Sequence, residues 1–247
     1  MSFEFDPVKH VYTLDGKPLT GVTTILGVIN KPALVAWAAK MATEYIKGNA
    51  PWDESQSVYL VSESALDDAK QAHRRKKEDA GEKGTDLHAG VEWLVNLCIK
   101  EHSGKMPDPL YVSGPTATFM LEPLKPFIDW AQKENVRFLE SEKRMYSRNW
   151  WLAGTADLIF EKDGKKYIGD VKTYAKIWDR VPFFQCAGYA NFWEEMHDGK
   201  ETIDGYCVLR LSKDGSFESK WSFDVEGDTR AFFACVELYR QLQTYKV

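Results

Sequence analysis

The chain has 247 residues, 44% hydrophobic and 28% charged, enough to bury one sizeable core. Its 32 Lys and Arg against 37 Asp and Glu give a net charge of −5, which argues against a general polyanion coat but leaves local nucleic-acid contact open. No apolar run is long enough to cross a bilayer, and MSFEFDPVKH lacks the apolar core of a secretory signal and the Arg/Ser-rich stretch of a transit peptide, so no membrane partner is expected.

In chain order, Phe3–Phe5 and Val11–Leu14 read as a hairpin with a turn signal at Asp15-Gly16. Val22–Leu26 reads equally as a strand or a short helix. Pro32 suits the first turn of a helix through Leu34, Trp37, Ala38 and Met41. Gly48–Trp52 is a break. Residues 60–103 read as mostly helical, with an interruption near Gly81-Glu82-Lys83-Gly84; Leu87, Val91, Leu94, Val95 and Cys98 recur there at helical spacing. A Pro/Gly loop over Gly104–Pro115 precedes a helix from about Thr116 to Lys133.

The pattern then changes. Arg137–Ser147, Leu152–Glu161 and Lys166–Thr173 read as an antiparallel meander, with turns at Asn149 and Asp163-Gly164. Phe183–Met196 returns to helical spacing. Gly205–Leu211 and Phe217–Phe223 form a strand pair around Lys213-Asp214-Gly215, and Ala231–Leu242 closes as an amphipathic helix. This order predicts an α/β or α+β fold with a helical portion before the sheet.

Two acids, Asp157 and Asp170, lie in otherwise apolar strands. Strand alternation puts Asp170 and Lys172 on one face and Val171 on the other, and pairing around Asp163-Gly164 brings Asp157 near Asp170. Two partly buried carboxylates repel unless a cation or proton intervenes, and a hard divalent cation with oxygen ligands answers this economically. Carboxylates, a metal and a lysine suit phosphodiester hydrolysis. The same residues also fit an ordinary sheet salt bridge between Asp157 and Lys172.

The segments Gly154-Thr155-Ala156-Asp157-Leu158-Ile159, Gly169-Asp170-Val171-Lys172-Thr173 and Gln185-x-x-x-Tyr189 occur in order. Upstream are Gly84-Thr85-Asp86-Leu87-His88, Glu142 on the preceding strand, and Gly21-Val22-Thr23-Thr24-Ile25-Leu26 with Trp37. Together they resemble the PD-(D/E)XK nuclease superfamily and its RecB/Cas4-like branch, in particular the mitochondrial genome maintenance exonuclease and phage-type relatives.

The resemblance implies a restriction-endonuclease-like core, a central mixed sheet flanked by helices. It implies a single nuclease domain over 1–247. Within it, 1–30 holds the N-terminal hairpin and Val-Thr-Thr motif, 31–135 a helical portion carrying His88, and 136–247 the sheet core with the metal site. His88, Asp157, Asp170 and the Val171 carbonyl would ligate Mg²⁺ or Mn²⁺. Lys172 would be the catalytic lysine, Gln185 and Tyr189 would border the site, and Glu142 would be a supporting acid. The third-motif acid is Asp170 rather than Glu, and Ala156 replaces the Pro of the family name; both variants are usual in this branch. Read alone, His88 fits a packed or capping histidine as well, and Glu92, one turn on, either orients it or faces solvent.

Cas4-type and AddB relatives group three cysteines after the nuclease core to hold an iron–sulfur cluster. Here Cys98, Cys186, Cys207 and Cys235 are dispersed, so no cluster and no disulfide framework is expected. No GxxxxGK[ST] sequence occurs, so the resemblance implies a nuclease without an attached helicase motor.

Candidate DNA contacts are Lys176 and Arg180 in the loop after Lys172, Thr173, the Trp150-Trp151 bend for base stacking, Thr23 and Thr24, and Arg74 and Arg75 in the densest basic run. For Thr173, Thr23 and Thr24 a capping role is the rival, and for Arg74 and Arg75 a solvated helix face. The expected activity is a metal-dependent DNA exonuclease acting on single-stranded ends or flaps in recombination, replication or repair. The expected setting is the cytoplasm of a bacterial or phage-infected cell, with a single-strand annealing or binding protein as a candidate partner. The alternatives are a double-strand-specific exonuclease or an endonuclease of the same superfamily, and a nucleic-acid-binding module that does not cut.

Overall fold

A computed structural model describes residues 2–29, 31–108, 110, 121–174, 176–177, 179–212 and 214–244. The chain divides into two compact units, Met1–Ile29 with Leu87–Val247, and Asn30–Asp86.

The larger unit is built on a mixed sheet of eight strands flanked by helices. The strands are β1 (Phe3–Asp6), β2 (Val11–Leu14), β3 (Lys17–Gly21), β6 (Arg137–Ser147), β7 (Leu152–Lys162), β8 (Lys165–Lys172), β9 (Gly205–Leu211) and β10 (Phe217–Ser222). Two-residue Asp-Gly turns close β2–β3 and β7–β8. At Asp15-Gly16 and at Asp163-Gly164 both φ values are positive, the conformation whose twist matches the flanking strands. The N-terminal segment is therefore a three-stranded meander, with Asp15-Gly16 between its second and third strands. The expected antiparallel runs β6–β7–β8 and β9–β10 are present. The sheet is mixed because β3 runs parallel to the start of β7, and β8 parallel to β9.

Each sheet face carries its own core. On one face, Met145, Ile159, Ile168 and Val208 pack under α1 (Val22–Leu26), α5 (Val181–Met196) and α6 (Val225–Thr244). On the other, Phe138, Phe160, Val171 and Leu209 pack under α4 (Lys125–Lys133) and the end of α3 (Glu63–Glu101). The α3 stripe Leu87, Val91, Leu94, Val95 and Cys98 is fully buried there, as its spacing predicts.

Two helix boundaries differ from expectation. α3 runs unbroken through Gly81–Gly84; a glycine costs a helix only about 1 kcal/mol, and cooperative propagation from both sides outweighs that. α4 begins at Lys125, with Pro126 in its first turn, and a 3₁₀ turn over Glu122–Leu124 leads directly into it; residues 116–120 of the longer helix expected here lie outside the described residues. Val22–Leu26 is helical.

The smaller unit contains α2 (Pro32–Asn49), the short hairpin β4 (Trp52–Asp53) and β5 (Val58–Tyr59), and the first part of α3. Trp37 meets His73 edge to face at 6.4 Å.

Candidate metal centre

Three residues from three elements converge. His88 on α3, Glu142 on β6 and Asp157 on β7 each offer one ligand atom, and those atoms lie within 4.8 Å of one another. His88 follows buried Leu87 on the helix, and its ring reaches β7. Its Nε2 lies 3.0 Å from Asp157 Oδ2, which also accepts the Val171 N–H at 2.6 Å.

The strands are irregular at this point. The β6–β7 ladder joins Ser141 to Leu158 and Lys143 to Ala156, passing over Glu142 and Asp157. Ala156 packs in the core under α5, whereas Leu158 packs in the core under α3 and α4. Residues two apart in a regular strand share a face, so β7 turns over at Asp157. Opposite it, Glu142 has φ +48°. Among the described residues it is the only non-glycine inside a strand with this left-handed backbone, a conformation that costs about 1–3 kcal/mol and concentrates at functional sites.

Beside this trio, Asp170 and Lys172 share one face of β8, as alternation predicts. Lys172 Nζ donates to Asp170 Oδ1 at 2.7 Å and to Gln185 Oε1 at 3.3 Å, and Gln185 Nε2 donates to the Tyr189 hydroxyl at 3.0 Å. The i, i+4 spacing on α5 makes the last bond. Tyr189 in turn needs Gly154, since a Cβ there would lie 2.5 Å from its ring. Asp170 is buried, and its Oδ2 has no hydrogen-bond partner among the described residues.

The electrostatics follow from this crowding. Burial, reinforced by the Asp157 charge, pushes the Glu142 carboxyl up to about 7. Burial pushes Asp170 up to about 6, against the pull of Lys172. Burial lowers the proton affinity of His88, but the hydrogen bond and charge of Asp157 outweigh it and the net shift is upward. Lys172 is likewise disfavoured by burial yet held protonated by Asp170 and Asp157.

A cleft of about 500 Å³ is lined by His88, Glu142, Asp157, Gln185 and Tyr189, and also by Thr23 and Thr24. Its lining also includes Thr155 of the quoted Gly154–Ile159 segment, and His10, Tyr12, Thr20 and Tyr239, which the sequence did not single out. The Tyr12 hydroxyl lies 2.8 Å from Thr155 Oγ1 across a separation of 143 residues, and no local pattern signals such a pair.

Other candidate contacts do not line this cleft. Arg180 bonds Asp228 and Ser222, holding α6 to the sheet. The Trp150 ring is covered by Phe233 at 4.3 Å and by Arg240. Trp151 is exposed, with its ring nitrogen donating to Pro18 O. Lys176 is exposed and Thr173 half-buried. Arg74 and Arg75 belong to the smaller unit, where Arg75 pairs with Asp68 and lies over Tyr45. All four cysteines are free, and Cys98, Cys186 and Cys207 are buried.

No helix among the described residues is long and apolar enough to cross a membrane. No protein-family model matches the chain, and no curated protein is significantly similar to it. Among solved structures, the crystal structure of SSO0001 is similar at 14% identity and a TM-score of 0.28, over 51% of this chain and 61% of that one. So low a likeness carries no argument about either fold family or function.

Proposed function

We propose that this chain is a metal-dependent nuclease that hydrolyses DNA phosphodiester bonds at strand ends, with His88, Glu142, Asp157 and Asp170 holding a divalent cation and Lys172 acting beside it. The observation that carries this reading is the convergence of His88, Glu142 and Asp157 ligand atoms within 4.8 Å, next to a buried Asp170 oxygen without a partner. Three carboxylates crowded with one lysine carry surplus negative charge. Oxygen donors with one imidazole suit Mg²⁺ or Mn²⁺.

When bound, such an ion polarises a phosphoryl oxygen and lowers the pKa of water. The protein's own groups do the rest. Lys172, which Asp170 and Asp157 hold protonated, would present a positive charge toward the phosphate. Asp170 and Gln185 fix its Nζ from two sides. Tyr189 accepts from Gln185, and its own hydroxyl proton, which has no acceptor among the described residues, would be turned to the substrate.

The test is cleavage of end-labelled single- and double-stranded DNA, linear and circular, with Mg²⁺ or Mn²⁺. Loss of linear single strands with circles spared supports the end-dependent reading. Cut circles make the protein an endonuclease. No cleavage of any substrate, with binding intact, favours a non-cutting nucleic-acid-binding module.

A further inference from the structure

Two arginines of the larger unit stand out by what holds them. Arg137, Arg180, Arg210 and Arg230 each pair with a carboxylate. Arg240 has none, but it ties α6 to the Trp150 carbonyl. Arg144 and Arg148 are exposed, and neither has a carboxylate within ion-pair distance among the described residues. Each lies over an aromatic ring instead. Arg144 Cζ is 4.8 Å from the centre of the Phe5 ring, and Arg148 Cζ is 5.6 Å from that of Tyr146. Arg148 Nη2 also donates to the Tyr146 hydroxyl at 3.1 Å.

The sheet sets this pair beside the cleft. The β6–β7 ladder puts Arg144 opposite Thr155 and Tyr146 opposite Ala153, and both partners line the cleft. Residues directly opposite in an antiparallel pair share a face, so Arg144 and Tyr146 rise on the side of Thr155 and Ala153. Met145 between them is buried in the core. On β1, alternation brings Phe3 against Tyr146 and Phe5 under Arg144, and turns Glu4 and Asp6 the other way. The Arg144 charge also reaches the cleft, where it favours the anionic form of Tyr12 and Glu142.

A guanidinium whose face rests on a ring keeps its in-plane N–H groups for an acceptor at its edge, the geometry that grips a phosphate with two parallel bonds. A strand rises about 3.3 Å per residue, which places Arg144 about 7 Å and Arg148 about 20 Å from Glu142 along β6. A stacked single strand advances about 3.4 Å per nucleotide. The two arginines thus stand about two and about six nucleotides from the metal centre.

We propose that Arg144 and Arg148 form a phosphate track along β6 that holds the part of a single strand leading out of the cleft. This rests on the phosphodiester reading above and adds the path of the substrate beyond the reacting bond.

The probes are fluorescein-labelled oligothymidylates of 3 and 12 nucleotides. Their affinity for the full chain is measured by fluorescence anisotropy in Ca²⁺, at 50 and 200 mM KCl. Each lost single-strand phosphate contact lowers the response to this salt step by about 2.6-fold. Arg144→Ala and Arg148→Ala are each expected to weaken the 12-mer about 3- to 10-fold, and the double variant to lower its salt response by about sevenfold. Arg148→Ala is expected to change 3-mer affinity by less than twofold, a length dependence that a merely structural role would not produce. Arg148→Lys keeps the charge and is expected to restore the salt response. Arg230→Ala removes an exposed arginine paired with Glu226, and is expected to affect neither probe. A salt response of the double variant equal to wild type, or equal weakening of the 3-mer and 12-mer by Arg148→Ala, overturns the proposal. So does displacement of the 12-mer by a 12-residue oligoglutamate as readily as by unlabelled 12-mer, which would make the surface a site for acidic peptide. Cleavage of the 12-mer in Mn²⁺ then shows that the nuclease reading stands without the track. Absence of both binding and cleavage overturns both.

Discussion

Glu142 stands across from Asp157 where β6 and β7 lose their ladder, with its backbone at φ +48° and its carboxyl raised to about 7. Left-handed backbone inside a strand and two facing acids both cost stability. Their joint effect is to place two carboxylates beside His88.

Glu142→Gln removes one of two facing charges and keeps the side-chain shape. Without metal it is expected to stabilise the protein at pH 8 by about 1–2 kcal/mol, after discounting the raised pKa for partial solvent screening. Chemical denaturation in EDTA measures this. The same variant is expected to weaken Mn²⁺ binding at least 10-fold.

The pH dependence of stability has a defined sign. Glu142 and Asp170 hold their protons more tightly folded than unfolded, so stability falls as pH rises from about 4 toward about 7. His88 acts in the same direction: its raised value gives stability below the unfolded pKa that is lost as pH climbs through the folded one. In EDTA, melting should occur at a higher temperature at pH 5.5 than at pH 8, with the difference reduced in Asp170→Asn. Saturating Mn²⁺ or Mg²⁺, at about 100 times its Kd, should add roughly 2.7 kcal/mol at pH 8 and much less at pH 5.5, where protons compete.

Lys172→Ala leaves buried Asp170 with neither oxygen paired. It is expected to lower the rate of cleavage by at least about 100-fold. It should also destabilise the metal-free protein by about 3 kcal/mol at pH 8, a loss that shrinks as Asp170 takes a proton near pH 5. Activity assays and denaturation at the two pH values separate the catalytic loss from the electrostatic one.

Gly154→Ala puts a methyl group 2.5 Å from the Tyr189 ring. The ring must move, at a cost of about 1–3 kcal/mol, and the Gln185–Tyr189 bond moves with it. Mn²⁺ affinity should hold while turnover falls, because His88, Glu142 and Asp157 are untouched.

What the sequence disclosed depended on range. The β6–β8 meander and β9–β10 were legible because period-two alternation and Asp-Gly turns are local signals, and so was the Asp170–Lys172 pair, two residues apart on one strand. His88 beside Asp157 was not readable from spacing, since 69 residues separate them; only the resemblance placed it there. The Tyr12–Thr155 pair and the parallel β3–β7 contact had no local signal at all. Arg180 and Trp150 looked like surface groups because their partners, Asp228, Phe233 and Arg240, lie about 50 to 90 residues further along the chain. The site's ordered acids and the Thr23-Thr24 pair were legible; the Tyr12–Thr155 pair beside them was a product of the fold.

The most direct measurement compares cleavage of a linear single-stranded oligonucleotide in Mn²⁺ by the wild-type chain and by Asp157→Ala, with circular dichroism confirming that both are folded. The expected result is cleavage by the wild type, stopped by EDTA, and a loss of at least about 1,000-fold in the folded variant. Equal rates in the two proteins, or wild-type cleavage that survives full chelation, would contradict a metal-dependent site built on Asp157.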